Sequence, residues 1–132
     1  MSDERYERGR RRIEEVDGRA QARLVEGWGD LGRYVVEFAY GDVYSRPGLS
    51  LRDREIASVA LLTAMGGREP QLKVHLNAAL EAGLTPAELE EVVIHTVPYA
   101  GFPTAINAMR ALREVLERRA RRTHPASTER GR

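Results

Sequence analysis

The sequence predicts an all-α fold: one small domain of about six helices, bundle-like and oligomeric. Two observations predict it. Apolar residues recur three and four positions apart along most of the chain, the period of a helix with one buried stripe. In addition, Thr85-Pro86-Ala87-Glu88 carries every signal of a helix start. Thr85 is an N-cap, Pro86 occupies the first helical position, and Glu88 closes a capping box.

The elements follow in order. From Ser2 to about Gly27 the chain is highly charged, with Ile13, Val16, Ala20 and Leu24 at helical spacing. Gly9 and Gly18 interrupt this stretch, so it is either one extended helix or two short ones lying on a neighbour. Trp28 and Leu31 lead into a segment where Leu31, Val35, Phe38 and Ala39 share a face that Tyr34 and Val36 broaden. Tyr, Val and Phe favour strands locally. The spacing and the helical surroundings favour a helix ending near Gly41. Arg46-Pro47-Gly48-Leu49 is a turn. Ser50 with Asp53 three places on is a weaker relative of the capping box.

The run Arg54 to Gly67 is apolar around most of its circumference, which suits a bundle centre or an oligomer interface. Gly66-Gly67 stops it, and Pro70 stands at the start of the next helix. That helix has its stripe at Leu72, Leu76, Ala79 and Leu80, with His75 beside it, and ends at Gly83. The helix opened by Thr85 carries Leu89, Val92, Val93, Thr96 and Val97, and Pro98 distorts its last turn. Ala100 to Pro103 is a tight connection. The last helix runs from near Pro103 to about Arg121, with Ile106, Met109, Leu112 and Leu116 expected inward. Residues 1–122 form the helical domain, and 123–132 read as a disordered tail.

Composition narrows the function. The chain has 132 residues, 42% hydrophobic and 31% charged, which fits one folded domain. Net charge is +1, from 21 basic and 20 acidic residues, so no basic excess marks a nucleic-acid binder. The arginines at 118, 119, 121 and 122 read as a solvated helix end, which the helix dipole favours. With no cysteine, thiolate nucleophiles, thiol redox cycles and cysteine metal sites are excluded. No apolar run is long enough to span a bilayer, so the expectation is a cytoplasmic protein without a membrane partner.

Three histidines remain as candidates. His124 lies in the tail. His75 and His95 sit on consecutive helices that are antiparallel neighbours; they need not meet within one chain, but across a symmetric interface they could. Each is either a core-edge histidine bonded to a neighbour or an imidazole available for proton transfer. Glu91, His95 and Tyr99 stand one turn apart if the helix persists through Pro98, placing acid, imidazole and phenol on one face. A metal site is poorly supported, because Leu72 and Val92 occupy the places where a Glu-x-x-His pair needs its carboxylate. No glycine-rich phosphate loop is present. Arg46, Arg54 and Lys73 are the cations nearest to turns and helix starts.

At these residues the chain resembles the gamma-carboxymuconolactone decarboxylases, over approximately Tyr6 to Leu116. The resemblance is carried by Tyr40 to Leu49, by Gly67-Arg68-Glu69 with Leu72-Lys73-Val74-His75-Leu76, by Ala78-Ala79 with Gly83, and by His95 with Tyr99, Gly101, Pro103 and Asn107. It implies an all-helical homohexamer that works without a cofactor. The implied reaction is decarboxylation of 4-carboxymuconolactone to the beta-ketoadipate enol-lactone in aromatic compound catabolism. For this reaction His75, His95 and Tyr99 are the catalytic candidates, and Arg46, Arg54, Lys73 and Glu91, as read from their positions above, the substrate-binding ones. The superfamily's thiol peroxidase branch has cysteines at the places held here by Arg68 and Gln71, so peroxidase activity is excluded. Where the decarboxylases usually read Tyr-Cys-Gly, this chain has Tyr99-Ala100-Gly101, followed by the larger Phe102. These departures motivate one alternative, a related enzyme on another small lactone or oxo-acid; a non-catalytic helical oligomer is a second, separate alternative.

Overall fold

Every regular element of the computed structural model is helical among the described residues, 2–123. The order is α1 (Ser2–Asp17), α2 (Arg19–Glu26), α3 (Gly29–Tyr34), a π-helical segment (Val35–Val43), α4 (Leu51–Met65), α5 (Glu69–Glu81), α6 (Pro86–His95), α7 (Val97–Ala100) and α8 (Phe102–Thr123). The charged N-terminal stretch is thus two helices, parted at Gly18, whose φ is 83°. The side chain of Ala20, His124 and the tail expected beyond it lie outside the described residues. No described helix is long and apolar enough to cross a membrane.

The local signals act as expected. Glu88 N–H donates to Thr85 Oγ1 at 3.1 Å, and Thr85 N–H donates to Glu88 Oε1 at 3.0 Å. Ser50 Oγ accepts from Asp53 N–H at 3.1 Å and starts α4. Gly66 ends α4 with φ 69°, a conformation that needs glycine. Pro98 coincides with a break: α6 stops at His95, and α7 restarts at Val97.

Two packing units result. In the first, α4, α5, α6 and α8 bury Val59, Leu72, Leu76, Leu89, Val93, Ala108 and Leu112. Each large side chain withdrawn this way contributes roughly 1.5–3 kcal/mol of transfer free energy. In the second, α1 lies on the π-helical segment around Ile13, Val25 and Val36. Here backbones nearly touch. A Cβ on Gly9 would fall 1.9 Å from the Val36 carbonyl oxygen, and one on Gly41 would fall 2.7 Å from that of Arg5. The Arg5 guanidinium grips Asp42 across the same crossing at 2.6 to 3.0 Å and holds its carboxyl below the usual range.

The π-helical segment corrects one expectation. Leu31 and Phe38 do not face inward; they are 64% and 61% exposed. For Phe38 the reason is the wider turn; Leu31 lies ahead of it, in α3. Tyr44 N–H donates to Ala39 O, five residues back, at 2.8 Å. Residues five apart then share a face, so Val36 and Gly41 turn to α1 together, and Phe38 leaves the face that Val35 and Ala39 keep toward the second cluster and the cavity. Ile106 is also half exposed, because α8 presents Ala105, Ala108, Leu112 and Val115 to the bundle instead.

Candidate active site

The seam between the two units holds an open cavity of about 650 Å³. The N-terminal unit contributes Ile13 and Asp17 from α1 and Tyr40 and Tyr44 from the π-helical segment and its end. Opposite stand Ser58 and Leu62 of α4 and Gln71 and His75 of α5. Most of the wall is apolar, and Leu24, Trp28, Leu61 and Met65 leave its rim exposed.

His75 is the imidazole of this cavity. Its Nδ1 lies 2.9 Å from Glu55 Oε2, and Glu55 is 1% exposed. The pairing follows from the helices: Glu55, Val59 and Thr63 are one turn apart on the buried face of α4, against which α5 packs. A carboxylate can only accept, so Nδ1 is the donor in this contact, which leaves Nε2 to meet a ligand. Tyr44 OH stands 3.4 Å from the same Nδ1 and 2.6 Å from Ser58 Oγ. Glu55 Oε1 is buried with no hydrogen-bond partner.

Burial also shapes the other groups. It pushes the Tyr44 phenol up to about 12, against the pull of the Ser58 hydroxyl, and raises Tyr40 as well. Both phenols therefore keep their protons over the ordinary working range and remain neutral donors. Asp17 is pushed up to about 6 by burial; the nearby His75 opposes this and the Glu55 charge adds to it.

The remaining predicted residues stand elsewhere in a single chain. His95 and Tyr99 pair with ring centroids 5.8 Å apart, but both are exposed and neither lines the His75 cavity. Glu91 is exposed on α6. Arg46 borders a separate open cavity of about 550 Å³ with Arg8, Arg11, Arg12 and Glu15. Arg54 donates to the Arg46 carbonyl at 2.9 Å and so ties the turn before α4. Lys73 is paired with Glu114 of α8. No three His, Asp or Glu side chains among the described residues gather closely enough to hold a metal ion.

Sequence reasoning singled out His75 but passed over Glu55, Tyr40, Tyr44, Ser58 and Asp17 as site groups. One signal was available. Glu55 is a lone carboxylate on the buried face of an otherwise apolar helix, and a buried charge requires a partner. Asp17 carries no comparable mark among the many charges of α1.

The chain is similar to known proteins over most of its length. Residues 29–114 match the carboxymuconolactone decarboxylase family. A 4-carboxymuconolactone decarboxylase of Acinetobacter baylyi is 37% identical over 123 residues, 89% of this chain and 91% of that one. A nitrosuccinic acid decarboxylase of Metarhizium robertsii is 33% identical over 75 residues, 57% of this chain and 52% of that protein. An uncharacterised 15.0 kDa protein of Paracoccus denitrificans is 28% identical over 104 residues, 78% of this chain and 75% of its own length. With the family matched across the helices that frame His75 and Glu55, and a relative aligned over nearly its whole length, the chain belongs to the carboxymuconolactone decarboxylase family.

Proposed function

We propose that the protein decarboxylates 4-carboxymuconolactone to the beta-ketoadipate enol-lactone without a cofactor. The observation that carries the reading is the His75–Glu55 pair on the wall of an apolar cavity, in a chain 37% identical to a decarboxylase of that substrate. The substrate supplies its own electron sink. Breaking the bond to the carboxylate sends the electron pair through the ring double bond to the lactone carbonyl, giving carbon dioxide and a dienolate. A proton then adds to the carbon beside the carbonyl.

The chain's residues divide this work. His75, oriented by Glu55 at Nδ1, delivers the proton from Nε2. The neutral phenols of Tyr40 and Tyr44 stand ready as donors where charge builds on the carbonyl oxygen. The apolar wall around Leu61, Leu62 and Met65 favours loss of charge from the departing carboxylate. His95 and Tyr99 enter from a second copy in a homohexamer. The exposed apolar side chains Leu24, Trp28, Leu31, Leu61 and Met65 support that assembly. Light scattering should then report about six times 14.8 kDa, and a monomer mass would remove it.

A second reading has its own support. The Metarhizium relative acts, by its name, on nitrosuccinic acid, another small acid whose substituent can hold the electron pair released with carbon dioxide. Turnover of a panel decides between them: 4-carboxymuconolactone, nitrosuccinate and several beta-keto acids, followed by carbon dioxide release and by proton NMR in deuterium oxide. The lactone should be consumed fastest, with one deuterium at the carbon beside the carbonyl. Preference for another acid would replace the substrate and keep the reaction class. Turnover of none would leave a non-catalytic oligomer.

A further inference from the structure

Asp17 is the one acidic group of the cavity to which the decarboxylation chemistry assigns no task. It ends α1, and Gly18 turns the chain immediately after it. Asp17 lines the cavity together with Ile13, one turn earlier on α1, and Gln21 of α2, so its side chain belongs to the cavity wall. Oδ2 is buried and has no hydrogen-bond partner. The groups that face it are Glu55 from α4, His75 from α5, Tyr40 and Tyr44 from the π-helical segment and its end, and Gln21 from α2.

The charge count gives Asp17 a consequence. Neither Arg nor Lys is among the described residues lining the cavity. If Asp17 and Glu55 were both ionised, two carboxylates would flank the one imidazole in a cavity that takes an anion. A protonated Asp17 removes one of those charges and adds a donor. Burial already moves this carboxyl toward the neutral form, up to about 6.

We propose that Asp17 recognises the anionic substrate as its protonated acid, donating a hydrogen bond to an oxygen of the carboxylate that the substrate keeps, so that binding takes up one proton. The balance is simple: an ionised Asp17, one proton from water and the free anion give the neutral acid bonded to the bound anion. Asp17 is thus a specificity-determining residue, and the ligand class it selects is a small carboxylated lactone. This rests on the reading of the cavity given above.

The test uses the full chain and (5-oxotetrahydrofuran-2-yl)acetate. This probe has the lactone and the carboxylate that the substrate keeps, but neither the departing carboxylate nor the ring double bond, so it binds without losing carbon dioxide. Calorimetry between pH 5.5 and 8.5 should show the wild-type Kd rising by about tenfold per pH unit above Asp17's titration, beyond whatever His75 contributes. Asp17→Asn is neutral at every pH and still donates, so at pH 8 it should bind at least tenfold more tightly than wild type. Its proton uptake, from heats in two buffers of different ionisation enthalpy, should be one proton smaller. In the wild-type protein, the carbon-13 resonance of the Asp17 carboxyl should move to its protonated position when the probe is added at pH 7.5. Equal proton uptake and parallel affinity profiles in the two proteins, or an unmoved carboxyl resonance, overturn the role of Asp17 alone. If the probe binds neither protein at any pH, the carboxylated-lactone reading falls, and Asp17's role falls with it.

Discussion

His75 Nδ1 lies 2.9 Å from Glu55 Oε2, and that carboxylate is buried at the junction of α4 and α5. The contact fixes which ring nitrogen carries the proton toward the protein and which meets the cavity. Glu55→Gln keeps the shape but removes the charged acceptor. Its kcat should fall by roughly 10²-fold or more, as when an imidazole loses its orienting carboxylate, while the helical circular-dichroism spectrum persists. An unchanged kcat would mean that Glu55 has only a packing role.

Removing the imidazoles separates proton transfer from charge stabilisation. His75→Ala should lower turnover by roughly 10²–10⁴-fold, the usual contribution of a positioned acid. His75→Gln retains a donor but cannot exchange a proton near neutral pH, so it should lose nearly as much. In deuterium oxide, a Gln variant that releases carbon dioxide but incorporates deuterium slowly would identify His75 as the acid. His95→Gln should be examined in the same way, since His95 does not line the cavity of its own chain. If both Gln variants turn over the lactone at the parent rate, the proton comes from elsewhere, with Tyr99, Glu91 and water as the remaining sources.

Asp17 makes stability depend on pH with a definite sign. Its folded carboxyl titrates near 6 and its unfolded one near 3.8. Between those values the native state holds the extra proton, so stability falls as pH rises through the window. The carboxyl is only half-buried, and solvent screening keeps the loss to on the order of 1 kcal/mol. Asp17→Asn should therefore melt close to wild type at pH 4 and above it at pH 7.5. Denaturant midpoints at both values check this, and a constant difference between the two proteins would contradict it.

Gly9 should tolerate no side chain. An exposed helical glycine usually gains up to about 1 kcal/mol when replaced by alanine. Here the new Cβ would sit 1.9 Å from the Val36 carbonyl oxygen, so α1 must lift from the π-helical segment. Gly9→Ala should cost at least about 2 kcal/mol. Gly48→Ala, where a Cβ meets nothing within 4 Å, should change stability by less than about 0.5 kcal/mol. Parallel urea unfolding of the two variants measures the contrast, and equal midpoints would show that the crossing relaxes freely.

Much of the fold is set by short-range chemistry and is legible residue by residue. Thr85 with Glu88, Ser50 with Asp53, and Gly66 act through groups within a few residues, so their spacing alone places the starts of α6 and α4 and the end of α4. The stripe Leu72, Leu76 and Ala79 reports one face of one helix, and it is buried as the period indicates. The same period placed His75 at the edge of that stripe. What the period could not carry is a change in the period itself. Over Val35–Val43 the chain turns in steps of five where Gly9 and Gly41 let α1 approach its backbone, and a window read at 3.6 residues per turn sees neither the partner nor the wider turn. The cavity groups lie beyond local reading for the same reason. Glu55 meets His75 across twenty residues, and Asp17 and Tyr44 meet the same cavity from the other packing unit. The burial that shifts Asp17 and Tyr44 is created only when the two units close on each other. Helix identity is a property of neighbours along the chain; the site is a property of neighbours in space, where desolvation is decided.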